Sequence, residues 1–162
     1  MITRALDFAT TKHSGQFRKV TNLPYITHPI NVADLVNTYK SSKKITELRV
    51  AALLHDTLED TDTTFEEISK QFSPLVASLV LELTSDPESV KKMGKCEYLK
   101  RKMLGMSSWG LLIKLCDRLS NLRDNPTDKS KQDTVDILEF LKSERKLSAS
   151  HLAVIQQIEY CY

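Results

Sequence analysis

At 162 residues, 41% of them hydrophobic and 27% charged, the chain has the composition of an ordinary folded protein, which excludes a disordered or fibrous one. A net charge of +2 is too small to imply a nucleic-acid partner, so no duplex nucleic acid is expected. The length favours one core, and a single domain over residues 1–162 is expected. Cys96, Cys116 and Cys161 are scattered and form no CxxC pair, which argues against a disulfide framework or a zinc ribbon. No apolar run approaches the roughly 20 residues that cross a bilayer, and MITRALDFATTKHSGQ lacks the apolar stretch of a signal peptide. A cytoplasmic protein without a membrane partner is therefore expected. Nothing in the sequence sets the oligomeric state.

Four glycines, five prolines and few alternating β-branched runs predict an all-α chain. Ala5, Phe8, Ala9 and Lys12 suggest a first helix that fades at Gly15. A polar loop with Pro24 follows. Pro29 opens a second helix carrying Val32, Leu35, Val36 and Tyr39 at helical spacing, with His28 in an extended conformation just ahead of it. A third helix starts near Thr46, and its Val50-Ala51-Ala52-Leu53-Leu54 is apolar on every side, which places it mid-core. Thr63 and Glu66 form a capping-box pattern for a helix with Phe65, Ile68 and Phe72 inward. Ser73-Pro74 starts the next, with Val76, Leu79, Val80 and Leu83. Residues 85–97 read as a mobile basic loop or a frayed helix. Ser107 or Ser108 caps a helix ending near Leu122, and two more helices follow around 130–145 and 148–162.

Charge is unevenly spread. Residues 55–67 hold Asp56, Glu59, Asp60, Asp62, Glu66 and Glu67 without a Lys or Arg, whereas residues 91–102 hold Lys91, Lys92, Lys95, Lys100, Arg101 and Lys102. Two solvated faces would explain this, as would an acidic metal site and a basic phosphate-receiving wall.

The chemical signal centres on His55-Asp56, at the end of the apolar helix in AALLHDTLEDT. Burying an unpaired charge there costs several kcal/mol or shifts its pKa, and a divalent cation would compensate. The alternative is a capped helix end with a hydrogen-bonded His. His28 adds an imidazole of defined direction. In LLIKLCDRLSNL, Leu112, Leu115, Cys116, Leu119 and Leu122 line an apolar stripe, which makes Cys116 a small buried residue. Lys114, Asp117, Arg118 and Asn121 fall on the other side, so Asp117 is either a fourth ligand or part of a salt-bridged surface. Two imidazoles and two carboxylates suit an ion with open positions such as Mn2+, although zinc or another divalent metal would bind a similar set. Glu59 and Asp60 follow one turn after His55 and Asp56. If the helix persists that far, either could act as general base toward an attacking water. Otherwise they solvate a helix end. No Walker-type glycine loop, GxSxG elbow or HExxH is present. His13 and His151 read as surface or cap residues, and Trp109 as core.

The stretches HSGQFRK, LPYITHPINVA, AALLHDTLEDTDTTFEEI and IKLCDRLSNLRD resemble, in order, the motifs of the RelA/SpoT-type HD hydrolase domain. The short length is similar to that of the small alarmone hydrolases. The resemblance covers residues 5 to 125. It implies an all-helical HD phosphohydrolase fold with one manganese ion held by His28, His55, Asp56 and Asp117, and with Glu59 and Asp60 serving the water. It also implies removal of the 3′-pyrophosphate from guanosine tetra- or pentaphosphate. Arg18 and Lys19 match the family's basic pair, which packs against the nucleotide base and its phosphates, and Asn121 matches a residue of the nucleoside pocket. Guanidinium chemistry suits that role, since it both stacks on bases and forks onto phosphates. The chain departs from the family at Cys116, usually Ala, and at Ser120, usually larger or more polar. Past Asp124 the later nucleotide contacts have no clear match beyond Lys129 or Lys131. Rival readings keep the metal but change the substrate to the 2′-phosphate of NADPH or a pyrophosphorylated RNA end. A further rival is a non-catalytic module that neutralises a partner synthetase.

Overall fold

The computed structural model describes residues 1–124 and 126–162. They form eleven helices, and among them the only β-type pairing is an isolated bridge between Phe17 and Pro24, so the all-α expectation holds. By its internal contacts the chain divides into two compact units, Met1–Thr84 and Ser85–Tyr162. No helix among the described residues is long and apolar enough to cross a membrane.

The first unit contains α1 (Ile2–Lys12), α2 (Thr27–Tyr39), α3 (Ile45–Leu54), α4 (Thr57–Asp60), α5 (Phe65–Gln71) and α6 (Pro74–Leu83). Helix α3, apolar all round, lies at its centre and packs against α1, α2 and α6. Leu48 and every residue from Val50 to Leu54 are buried. Gly15, at φ 78°, turns the chain out of α1 in a conformation that disfavours residues with a Cβ.

Helix α2 starts at Thr27, two residues before Pro29, so His28 lies inside the first helical turn and not extended ahead of it. The first four N–H groups of a helix have no partner within it, so a proline in this turn forfeits no bond, and the pre-proline preference for extended backbone yields. The cap of α5 is Thr64, whose hydroxyl accepts from the Glu67 backbone N–H; the Thr63 expected there is buried, with its hydroxyl 2.7 Å from that of Thr61. Both Thr63–Glu66 and Thr64–Glu67 satisfy the capping spacing, which made the register ambiguous. Ser73 caps α6 as expected, with Pro74 in the first turn.

The second unit contains α7 (Pro87–Met93), α8 (Lys95–Gly105), α9 (Ser108–Leu122), α10 (Asp128–Glu144) and α11 (Ala149–Glu159). Helix α9 supplies the largest share of the core and packs against α11 and α10, while α8 packs against α10 and α7. Residues 85–97 are helical except at short joints, which decides for the helical one of the two readings and against the loop. Asp86 caps α7 through the Ser89 N–H, Pro87 opens it, and Gly94 at φ 84° separates it from α8. Ser107 caps α9. Burial pushes the Cys116 thiol well above its ordinary range, so it is an inert core residue. Trp109 is half-buried rather than core. His151 is a cap, but a buried one. Its Nδ1 accepts from the Ser148 backbone N–H at 3.2 Å, and its Nε2–H donates to the Ser108 carbonyl at 2.8 Å, tying the starts of α9 and α11 together.

Candidate metal centre

Helix α3 stops because the chain bends at His55 and Asp56 before a single further turn, α4. The carbonyls left without helical partners are taken by nearby side chains. His55 Nδ1 lies 2.8 Å from the Ala52 carbonyl, and the Thr57 hydroxyl donates to the Leu54 carbonyl at 2.7 Å. A carbonyl oxygen only accepts, so Nδ1 carries the proton and the lone pair of the neutral ring is on Nε2. Backbone thereby fixes tautomer and ring direction, as metal-ligating histidines require.

That Nε2 lies 2.9 Å from Asp56 Oδ2, and His28 Nε2 lies 3.8 Å from the same oxygen. The imidazole rings of His28 and His55 meet edge-on with centroids 5.2 Å apart. Both histidines are buried and Asp56 is partly so. One ligand atom from each of the three lies within 4.8 Å of the others. A lone pair on Nε2 facing a carboxylate oxygen is repulsive unless a cation or proton lies between them. Donor atoms held at about 2.1 Å from one ion and at right angles would be about 3 Å apart, which matches the His55–Asp56 separation. The donor set fits a divalent cation.

Asp117 belongs to the second unit, on α9, and is buried. Lys114 Nζ lies 2.8 Å from its Oδ2, and Asn121 donates to its Oδ1 at 2.7 Å. Arg118 is half-buried and donates to the Thr134 hydroxyl. On the polar side of this helix Asp117 is thus enclosed, Lys114 and Arg118 are half-buried and Asn121 is exposed.

Glu59 and Asp60 both lie on α4, whose turn is closed by the Asp60 N–H to the Asp56 carbonyl at 2.9 Å. Partial burial pushes the Asp60 carboxyl above its usual range, and the negative charges of Asp56 and Glu59 push it further; His13 and His55 oppose the shift. Arg18 and Lys19 lie on the loop between α1 and α2. There the Arg18 N–H donates to the Leu23 carbonyl, and Asn22 adopts a left-handed φ of 55°. The Arg18 guanidinium carbon lies 5.8 Å from the centre of the Tyr25 ring. The basic residues 91–102 are on α7 and α8. Arg101 pairs with Glu97 at 2.6 Å, and the Lys102 ammonium lies 5.7 Å from the Tyr98 ring centre.

Three residues beside the cluster had no role in the sequence reading. Tyr25 donates its hydroxyl to Asp56 Oδ2 at 2.7 Å. His13, expected at the surface, is buried, with its ring 4.8 Å from that of Tyr25. Gln16 lies 2.8 Å from His13 Nδ1 through Oε1, and its amide donates to the Asp60 carbonyl at 3.0 Å. All three lie within or beside the quoted motifs HSGQFRK and LPYITHPINVA, which was the one signal available.

Comparison with known proteins places these residues in a family. The model of the HD domain matches residues 5–139. The chain is 41% identical over 125 residues to guanosine-3′,5′-bis(diphosphate) 3′-pyrophosphohydrolase of Xenopus tropicalis, across 76% of this chain and 69% of that one. It is 44% identical over 132 residues to the Aquifex aeolicus protein of the same name, where the match spans 75% of this chain but only 17% of that longer one. A solved structure of a metazoan orthologue of SpoT, described as hydrolysing ppGpp, superposes with a TM-score of 0.79 at 32% identity, covering 98% of this chain and 94% of the other. The chain belongs to the HD domain family.

Proposed function

We infer that this chain is a divalent-metal-dependent hydrolase that removes the 3′-pyrophosphate of guanosine tetra- or pentaphosphate. The observation that carries the reading is the convergence of His28, His55 and Asp56, in a chain 41% identical to a protein named for that reaction. Asp117 is the proposed fourth ligand on the order of the motifs. Its buried carboxylate is held by Lys114 and Asn121, which restrains its rotation. Manganese is the proposed ion, since mixed imidazole and carboxylate donors with open positions suit it. We propose that the single HD domain spans residues 1–162, in keeping with a family match that runs through both compact units. The proposed setting is the cytoplasm, where the free thiols Cys96, Cys116 and Cys161 would persist.

When bound, the ion lowers the pKa of a water and offsets charge that develops on the phosphates. The chain's own groups then divide the work. Glu59 takes the proton as the water oxygen bonds to the phosphorus attached to O3′. The P–O3′ bond breaks, pyrophosphate departs, and O3′ gains a proton. Asp60, beside Glu59 on α4, serves the same water, and the proton taken from it is the one available to O3′. Arg18 stacks on the base, Lys19 meets phosphate, and Asn121 lines the nucleoside pocket. Lys91, Lys92 and Lys95 offer further charge for the remote phosphates.

The test is incubation with Mn2+ and a nucleotide panel, scoring pyrophosphate and phosphate separately. Guanosine tetraphosphate should release pyrophosphate and no phosphate. Phosphate release from NADPH, or pyrophosphate from a pyrophosphorylated RNA end alone, would move the substrate assignment. No turnover of any nucleotide would favour a module that binds a partner synthetase.

A further inference from the structure

We propose that Tyr25 is a positioning residue for the metal-ligating carboxylate of Asp56, acting through its hydroxyl, and that His13 and Gln16 hold it in place. This rests on the metal reading above. The Tyr25 hydroxyl donates to Asp56 Oδ2, the same oxygen that lies 2.9 Å from His55 Nε2 and 3.8 Å from His28 Nε2. A carboxylate oxygen has more than one lone pair, so Oδ2 can accept from the phenol while facing the histidines. Its rotation about the Cβ–Cγ bond is then restrained, which is the usual task of an outer partner to a metal ligand.

The phenol is itself fixed on several sides. Its backbone N–H donates to the Gln16 carbonyl at 2.9 Å. One part of the ring packs on His13, and the His28 ring meets it edge-on at 6.0 Å. His13 is 3% exposed, and its Nε2 is buried without a hydrogen-bond partner, so the ring is held there by packing and by Nδ1. Gln16 joins His13 to the Asp60 carbonyl. The cluster therefore grips the segment carrying the chemistry at both ends, through the Asp56 side chain and the Asp60 backbone. The ring that orients Asp56 also lies under the Arg18 guanidinium, so one aromatic side chain braces both the ion site and the base-binding arginine.

Tyr25→Phe removes the hydroxyl and keeps the ring, which separates these duties. The measurement is binding of Mn2+ alone to metal-freed protein, followed by the spin-resonance signal of free Mn2+, with parent, Asp56→Ala and Tyr25→Phe compared. The parent should bind one ion and Asp56→Ala none. Tyr25→Phe should bind with a dissociation constant raised about 10- to 100-fold, as loss of outer partners typically does. Its melting temperature without metal should stay near that of the parent, and excess Mn2+ should restore kcat with KM unchanged. A merely structural tyrosine would lower the melting temperature and leave the affinity alone. An affinity within about threefold of the parent overturns the proposal whatever the melting temperature does. A parent that binds no Mn2+ overturns the metal reading at its own arm, and the positioning role falls with it.

Discussion

Asp56→Ala is expected to lower pyrophosphate release by about a thousandfold or more, roughly 4 kcal/mol in the barrier, while the protein stays folded. Asp56 is the only anion in the first-unit cluster, and its Oδ2 is the point to which His28 Nε2, His55 Nε2 and the Tyr25 hydroxyl all turn. Without it, two imidazoles and the proposed Asp117 carboxylate remain, a set one negative charge short for holding a hard or borderline divalent ion against water. Stability should survive, because the side chain is at the edge of the core and not inside it. Its loss also removes one of the charges that disfavour ionised Asp60. His55→Ala should behave alike, since its Nε2, 2.9 Å from Oδ2, is a ligand atom of the same cluster. Metal content and turnover are measured together on each variant. Activity within a few-fold of the parent, at unchanged metal content, would contradict the assignment.

Glu59→Gln should lower kcat by about 100- to 10,000-fold and leave KM nearly unchanged. The amide keeps the shape of the side chain on the single turn of α4 but cannot accept the proton of the attacking water. A base acts only as the water is activated, so its loss appears in the chemical step and not in ground-state binding. The basic helices provide the contrast. Neutralising Lys91, Lys92 and Lys95 together should raise KM more than it lowers kcat, because contacts to remote phosphates act in ground and transition states alike. Arg101 is a poor choice for that experiment, since Glu97 already engages it. Steady-state constants for the two variants decide the matter. A Glu59→Gln enzyme with normal kcat would remove Glu59 from its role.

The helices that carry periodic apolar faces were legible in the sequence, and so was the ionisable cluster closing α3. His55 and Asp56 were found because a core helix ending in charge is chemically anomalous, His28 as an imidazole fixed beside Pro29, and the structure brings these three together. Helix α7 stayed ambiguous between loop and helix because it has no buried residue and thus no periodicity to detect; Asp86-Pro87, an N-cap followed by a first-turn proline, was its available mark. The direction of His28 was misjudged because a proline rule was applied without the competing fact that a helix start tolerates proline. Tyr25 and His13 could not be placed by pattern at all. Their partners lie 31 residues away for Tyr25, and 12 for the ring pair between them, and neither spacing is a helical or strand repeat.

The account stands or falls on where the ion sits, and anomalous scattering from crystals grown with Mn2+ locates it directly. One peak per chain is expected, within about 2.0–2.5 Å of His28 Nε2, His55 Nε2, an Asp56 carboxylate oxygen and an Asp117 carboxylate oxygen. A peak elsewhere, or none where His28, His55 and Asp56 converge, would contradict it.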